Sequence, residues 1–279
     1  MGSGIVEVSA KAGCDVVVRE IDEDALAAGR ARVSKSLDRA VAKGKLDAAA
    51  RDEALARITF TTSLDALADR DMVIEAIVES LDAKNELFGH LDGVCPDETI
   101  FASNTSSLTV TDMAAATSRP DRFVGLHFFN PVPVMKLVEV VRTIVTSRET
   151  FEAASAFARR VGKVPITARD NSGFVVNLLL VPYLLDAIRQ LERGVASVED
   201  IDRAMTLGCG YPMGPLTLGD FVGLDTLLHV ADIMYGEYRE ERYAAPPLLK
   251  RLVAMGRYGR KTGAGFYDWT PTGPVPLEV

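Results

Sequence analysis

Up to about Ala168, short β-branched runs alternate with amphipathic helical stretches, and beyond Asn171 the strand signals stop. This change of texture restricts the chain more than any other feature. Alternating strand and helix segments bury their apolar sides when the strands form a mainly parallel sheet covered by the helices, which predicts an α/β domain. The strand candidates are residues 15–19, 58–60, 71–75, 99–102, 123–126, 136–140 and 164–166, with helical patterns such as 22–43 and 81–91 between them. The second half reads as helices over 174–191, 198–205, 215–221, 224–238 and 247–255, separated by Arg193-Gly194, by 208–212 and by 256–259. We therefore expect two domains, 1–170 and 171–279, with a hinge at Asp170-Asn171-Ser172-Gly173. The tail 270–279 carries three prolines and reads as loose.

Composition excludes several classes. Of 279 residues, 48% are hydrophobic and 25% charged, as in globular proteins and unlike disordered or collagen-like chains. A chain of this length buries a core without disulfide staples. The net charge is −8 and no five like charges run together, so nothing points to nucleic acid. Three cysteines (Cys14, Cys95, Cys209) have no metal-ligand spacing and read as buried free thiols. The longest apolar run, 174–185, is broken by Asn177, Pro182 and Tyr183 and falls short of the ~20 residues of a membrane span. No signal peptide is visible, and we expect a cytoplasmic protein with no membrane partner.

Met1-Gly2-Ser3-Gly4 opens into an apolar helical stretch ending at Gly13, and a strand then ends in Glu20, 18 residues after Gly2. Glycines at a helix start let backbone amides approach a pyrophosphate, and an acid about 20 residues on accepts ribose hydroxyls. An ordinary helix start and core strand would read the same way. Of the three histidines, His90 sits near a helix end and His229 within an apolar helix, as a core or interface residue. His127 instead follows a strand, where ligands of open α/β sheets bind. Two further features lie nearby. The hydroxyl-rich 103–107 closes another strand and would also serve as a helix cap. Glu139 is a single acid in a largely apolar strand and needs a partner, and a His-carboxylate pair would fix the imidazole tautomer and raise its basicity. The residues alone reach a nucleotide-dependent α/β enzyme.

Three blocks go further: 103–108 (Ser-Asn-Thr-Ser-Ser-Leu), 125–139 (around His127-Phe128-Phe129-Asn130-Pro131) and 173–177 (Gly-Phe-Val-Val-Asn). With 208–215, 220–225 and 261–267 they resemble the 3-hydroxyacyl-CoA dehydrogenases over nearly the whole chain. The resemblance implies a Rossmann-like domain followed by a helical domain that forms a homodimer. It also implies NAD-dependent, reversible oxidation of a short-chain (S)-3-hydroxyacyl-CoA to the 3-oxoacyl-CoA. His127 then matches the general base and Glu139 its partner, while Ser106 and Asn177 match residues that position the substrate. Glu20 matches the acid on the adenine ribose. Gly2, Glu79, Lys84, Ser106, Asn130 and Lys261 match positions beside the cofactor. Ser36, Lys43 and Ser106 match contacts to coenzyme A. No metal is implied. With Asn177 in the second domain, domain closure would complete the site. Glu20 would repel the 2′-phosphate of NADP and so favours NAD, although Arg19 beside it pulls the other way.

The resemblance departs from its family at the start. The family opens with a strand and Gly-x-Gly-x-x-Gly, of which only the last glycine, Gly2, is matched. Such a strand would lie at the centre of the sheet. Without it, backbone partners on both neighbours and an apolar groove would be exposed. On this reading Met1 is an internal methionine of a longer natural chain, and an intact mass of the natural protein equal to these 279 residues would refute it. A catalytically impaired or structural member of the fold, and a related sugar-acid dehydrogenase, are the competing readings.

Overall fold

The computed structural model describes residues 1–278 and divides into two compact units, Met1–Asn171 and a second beginning at Ser172. The first runs α1 (Gly2–Lys11), β1 (Val16–Arg19), α2 (Glu23–Ala42), α3 (Ala48–Ala56), β2 (Ile58–Thr61), β3 (Met72–Glu75), α4 (Leu81–Val94) and β4 (Ile100–Ser103). It continues with α5 (Val110–Ala114), β5 (Phe123–Phe128), β6 (Leu137–Arg142), α6 (Arg148–Arg160) and β7 (Val164–Arg169). All seven sequence-predicted strands are present. Helix starts follow local capping: Asp22 and Asp47 accept the backbone N–H of Ala25 and Ala50 at 2.7 and 2.6 Å, which satisfies donors the first turn leaves open.

Strands β3-β4-β5-β6-β7 form one sheet, parallel throughout except for the antiparallel pair β5–β6. Strands β1 and β2 pair in parallel as a separate two-stranded sheet. Between β1 and β3 lies a groove of about 1580 Å³. It is lined by contiguous runs, Asp15 to Ile21 on one side and Asp69 to Val78 on the other. Side chains alternate across a strand, so a sheet face would be lined by every second residue. Contiguous lining marks two strand edges facing each other. The interruption expected at the centre of the sheet is therefore present, apolar groove included.

The two faces of the five-stranded sheet differ. Val124, Leu126, Phe128, Val138 and Val140 join Ile5, Val8, Ala154 and Ala158 in a core beneath α1 and α6. The opposite face carries Phe101 and Phe123, which pack against Phe88 of α4 at ring separations of 5.7 and 4.6 Å. On that face a Cβ at Gly125 would meet Val141 Cβ at 2.7 Å and Val110 at 3.0 Å, so only glycine lets α5 settle beside β5. Strand alternation then puts His127 on this second face, two residues along.

The second unit contains α7 (Val176–Glu192), α8 (Val198–Arg203), α9 (Pro215–Val222), α10 (Leu224–Tyr238) and α11 (Pro247–Ala254) around a core that includes Leu184, Leu185, Leu227, Met234 and Phe266. It is not wholly helical. Strands β8 (Tyr267–Thr270) and β9 (Gly273–Pro276) form an antiparallel hairpin where the sequence suggested a loose tail. Buried Asp220 anchors it, accepting from the backbone N–H of Phe266 and Tyr267 and from Trp269 Nε1 at 2.9 to 3.0 Å. A Cβ at Gly265 would collide with Asp220 Oδ1, which explains a glycine there. Two further expectations are corrected. His229 is exposed on α10, which removes the core half of its reading and leaves the interface half, and only Cys95 of the three cysteines is buried, Cys209 being exposed. Among the described residues no helix is long and apolar enough to cross a membrane.

Candidate active site

The antiparallel register of β5 and β6 places His127 directly opposite Glu139. Directly opposed residues of such a pair project to the same face within side-chain reach. His127 Nδ1 lies 2.6 Å from Glu139 Oε2, with His127 6% exposed and Glu139 fully buried. A carboxylate at that distance accepts a hydrogen bond from Nδ1–H, which leaves Nε2 as the basic nitrogen of the ring. Phe129 packs against the imidazole, ring centroids 4.5 Å apart. The acid that stood out in an apolar strand thus has the partner its burial demanded.

The 103–107 segment is fixed by a second, charged cluster. The carboxylate of Glu79 accepts from Thr105 Oγ1 at 2.5 Å, Ser106 N–H at 3.0 Å and Ser107 Oγ at 3.3 Å. Its other oxygen lies 3.1 Å from Lys84 Nζ, and the same ammonium lies 2.7 Å from Glu75 Oε1. Asn104 Oδ1 accepts the Phe128 N–H at 2.9 Å, tying this loop to the strand that bears His127. The hydroxyls are therefore not the cap of α5. That cap is Asp170, whose carboxylate accepts the N–H of Val110 and Thr111 at 2.9 and 2.6 Å.

Burial pushes the Glu79 carboxyl up, but the Lys84 ammonium and the hydrogen bonds from Thr105, Ser106 and Lys84 outweigh it and hold the group below its usual range. A depressed carboxyl stabilises the fold in full above its unfolded pKa of about 4.3 and loses that contribution as pH falls through the folded value. Glu79→Gln is accordingly expected to melt below the parent at about pH 7, with a narrower gap at about pH 3. Thermal melts at both values check this, and a gap that does not narrow in acid contradicts it.

The remaining sequence-predicted residues fall in separate places. Glu20 directly follows β1 and Gly2 begins α1, both on the groove between β1 and β3. α1 has no side-chain cap, and Gly2 and Ser3 at its start line the groove, so the helix N-terminus borders it where an anion would be favoured. A Cβ on Gly2 would stand 3.9 Å from Ala76 Cβ, an ordinary contact, so this chain sets no steric demand for glycine there. Exposed Ile21 and Val78 flank the same mouth. Arg19 Nε donates to the Thr62 carbonyl at 3.2 Å, which turns it to backbone and leaves Glu20 as the charge at the strand end. These groups fit a dinucleotide carrying free ribose hydroxyls. Asn130 is exposed after β5. Ser36 lies on α2, half-buried, and Lys43 caps that helix seven residues on, a spacing of about two turns that puts both on one side.

In the second unit, Asn177 lies in the first turn of α7. Before it Gly173 and Phe174 both have positive φ, 84° and 50°. A non-glycine residue there stores strain of about 1–3 kcal/mol, which surrounding structure must hold. Lys261 Nζ pairs with Asp225 at 2.5 Å. Sequence reasoning missed Glu75 and Asp170, and gave Ser103 only as one of the hydroxyls of 103–107. The signal for Glu75 was present: it is an acid at the end of an apolar strand, as conspicuous as Glu139.

Comparison with known proteins gives the family. The NAD binding domain of 3-hydroxyacyl-CoA dehydrogenase matches residues 1–171, and the C-terminal domain of the same enzyme matches 173–269. A 3-hydroxybutyryl-CoA dehydrogenase of Mycobacterium tuberculosis is 54% identical over 271 residues, covering 96% of this chain and 95% of the relative. The mitochondrial hydroxyacyl-coenzyme A dehydrogenase of Homo sapiens is 51% identical, covering 96% and 88%. The crystal structure of (S)-3-hydroxybutyryl-CoA dehydrogenase from Ralstonia eutropha superposes with a TM-score of 0.92 at 46% identity, covering 97% and 95%. With both parts matched, and relatives about half identical along nearly the whole length, the chain belongs to the 3-hydroxyacyl-CoA dehydrogenase family.

Proposed function

We propose that the chain catalyses reversible oxidation of a short-chain (S)-3-hydroxyacyl-CoA, 3-hydroxybutyryl-CoA in particular, to the 3-oxoacyl-CoA. The observation that carries this reading is the buried His127–Glu139 pair, 2.6 Å apart, on the sheet face beside the Ser106 loop. The cofactor is NAD. It supplies, when bound, the acceptor for the hydride that leaves C3. Gly2 and the first turn of α1 would hold its phosphates and Glu20 its adenine ribose, while Glu79, Ser106, Asn130 and Lys261 would line its further course; Lys84, 1% exposed, would act from behind Glu79 rather than touch the cofactor.

His127 Nε2 takes the proton of the 3-hydroxyl as C3 is oxidised, and returns it in the reverse direction. Glu139 stabilises the imidazolium that forms and holds the ring in one tautomer. Ser106 orients the reacting oxygen, and Asn177 takes the same positioning role from the second unit, on the family resemblance. Ser36 and Lys43 bind coenzyme A. We further assign a cytoplasmic location and a homodimer built on the second unit, where Leu179, Leu207 and Met255 are 72%, 84% and 79% exposed. Sedimentation at two concentrations tests the dimer.

The deciding assay is loss of NADH absorbance when acetoacetyl-CoA is added. Turnover is expected. Replacing both Ser36 and Lys43 by Ala should raise KM for acetoacetyl-CoA about tenfold or more with kcat little changed, as for loss of uniform binding. An unchanged KM removes the coenzyme A assignment and favours a substrate such as a sugar acid. One observation favours a second reading, impaired cofactor binding: the facing edges of β1 and β3. In that case NADH fails to bind, by fluorescence titration, while the His127–Glu139 pair remains intact.

A further inference from the structure

We propose that Glu75 is a positioning residue for the Ser106 loop, acting through Lys84 and Ser103. This rests on the reading that Ser106 orients the substrate. Glu75 is 3% exposed at the carboxyl end of β3. Three donors converge on it: Ile77 N–H at 2.6 Å and Lys84 Nζ at 2.7 Å on Oε1, and Ser103 Oγ at 2.6 Å on Oε2. Ser103 is its register partner on β4, so the contact is built into the strand pairing.

Two routes run from this carboxylate to the same segment. The neutral one passes through Ser103, whose Oγ accepts the Thr105 N–H at 3.2 Å. The ionic one passes through Lys84, 1% exposed, to Glu79, which holds Thr105, Ser106 and Ser107. Residues 104–109 lie between β4 and α5 and contain no strand or helix, so side-chain anchors determine where the Ser106 backbone sits. One ammonium shared by two carboxylates fixes the separation of all three groups. Without the Glu75 charge, Lys84 is drawn to Glu79 alone, and the three donors on the Glu79 carboxylate move with it. Burying Glu75 and Lys84 beside a half-buried Glu79 is a costly way to stabilise a fold, and apolar side chains of the same volume do it as well or better. What the arrangement supplies is a defined position for the loop.

Glu75→Gln keeps the volume and an acceptor for Ile77 and Lys84, but removes the charge and sets an amide N–H against Ser103. Ser103→Ala cuts only the neutral route and loses one hydroxyl. Hydrogen exchange followed by mass spectrometry, with steady-state reduction of acetoacetyl-CoA and NADH titration by fluorescence, separates the outcomes. In Glu75→Gln, amides of 104–108 are expected to exchange about tenfold faster, with β5 and β6 unchanged. kcat is expected to fall about tenfold, and NADH affinity to weaken severalfold, because Glu79 and Ser106 are assigned beside the cofactor; tenfold corresponds to about 1.4 kcal/mol. Ser103→Ala is expected to show the same pattern at about threefold. Unchanged exchange at 104–108 in both variants overturns the proposal. So does faster exchange spread through the whole first unit, which would make Glu75 a support of the fold alone. If the parent does not turn over acetoacetyl-CoA, the functional reading fails, and the exchange result still decides whether Glu75 holds the loop.

Discussion

Replacing His127 by Ala or by Gln is expected to reduce turnover of acetoacetyl-CoA by about 10²–10⁴ or more, the range for loss of a positioned acid–base group. Neither side chain can take or return a proton at the position of Nε2. The two differ in what they do to Glu139, a fully buried carboxylate 2.6 Å from the imidazole. Gln can donate an amide N–H toward it. Ala removes that donor, and a hydrogen bond to a charged group contributes about 1.5–3 kcal/mol. The Ala variant should therefore melt well below the parent and the Gln variant close to it, with both inactive. NADH affinity should be retained in both, because His127 acts on the substrate oxygen. Activity that follows melting temperature, with His127→Gln near the parent in both, would reduce the histidine to a structural role.

Much of the first unit is legible because its signals are local. Each strand is a short β-branched run, and each boundary falls within a few residues of its prediction. Glu139 stood out because a lone acid in an apolar strand must find a partner, and the β5–β6 register supplies one. What stayed hidden depends on long-range placement. Ser103 and Thr105 read equally well as a helix cap. Only the fold brings Glu75 and Glu79 to them and delivers Asp170, 60 residues away, to the start of α5. The hairpin β8–β9 was missed because Pro271, Pro274 and Pro276 argue against a strand. Prolines are tolerated where a strand lies at an edge, and a two-stranded ribbon has only edges. For Ser36, Lys43, Asn177 and Lys261 no physical pattern in the sequence announces a role, and their assignment rests on family resemblance.

Glu139→Gln should separate orientation from charge. The amide oxygen can still accept the Nδ1 proton, so the ring keeps its tautomer and place, and ground-state binding is little affected. What disappears is the negative charge that faces the imidazolium once His127 carries the second proton. Charges about 4 Å apart interact by about 4 kcal/mol at an effective dielectric constant near 20. Nearly all of this is gained only as the proton moves, so it belongs to the transition state and not to the bound substrate. At about 1.4 kcal/mol per decade, kcat should fall by up to about 10³, with KM for acetoacetyl-CoA and NADH affinity near parental values. The fold should survive, because a neutral amide replaces a charge at a position with no exposed surface. Steady-state kinetics with a melting curve distinguish the cases. A raised KM at unchanged kcat would make Glu139 a determinant of substrate binding. A fall in kcat below tenfold would mean that orientation alone, without the charge, accounts for what Glu139 does.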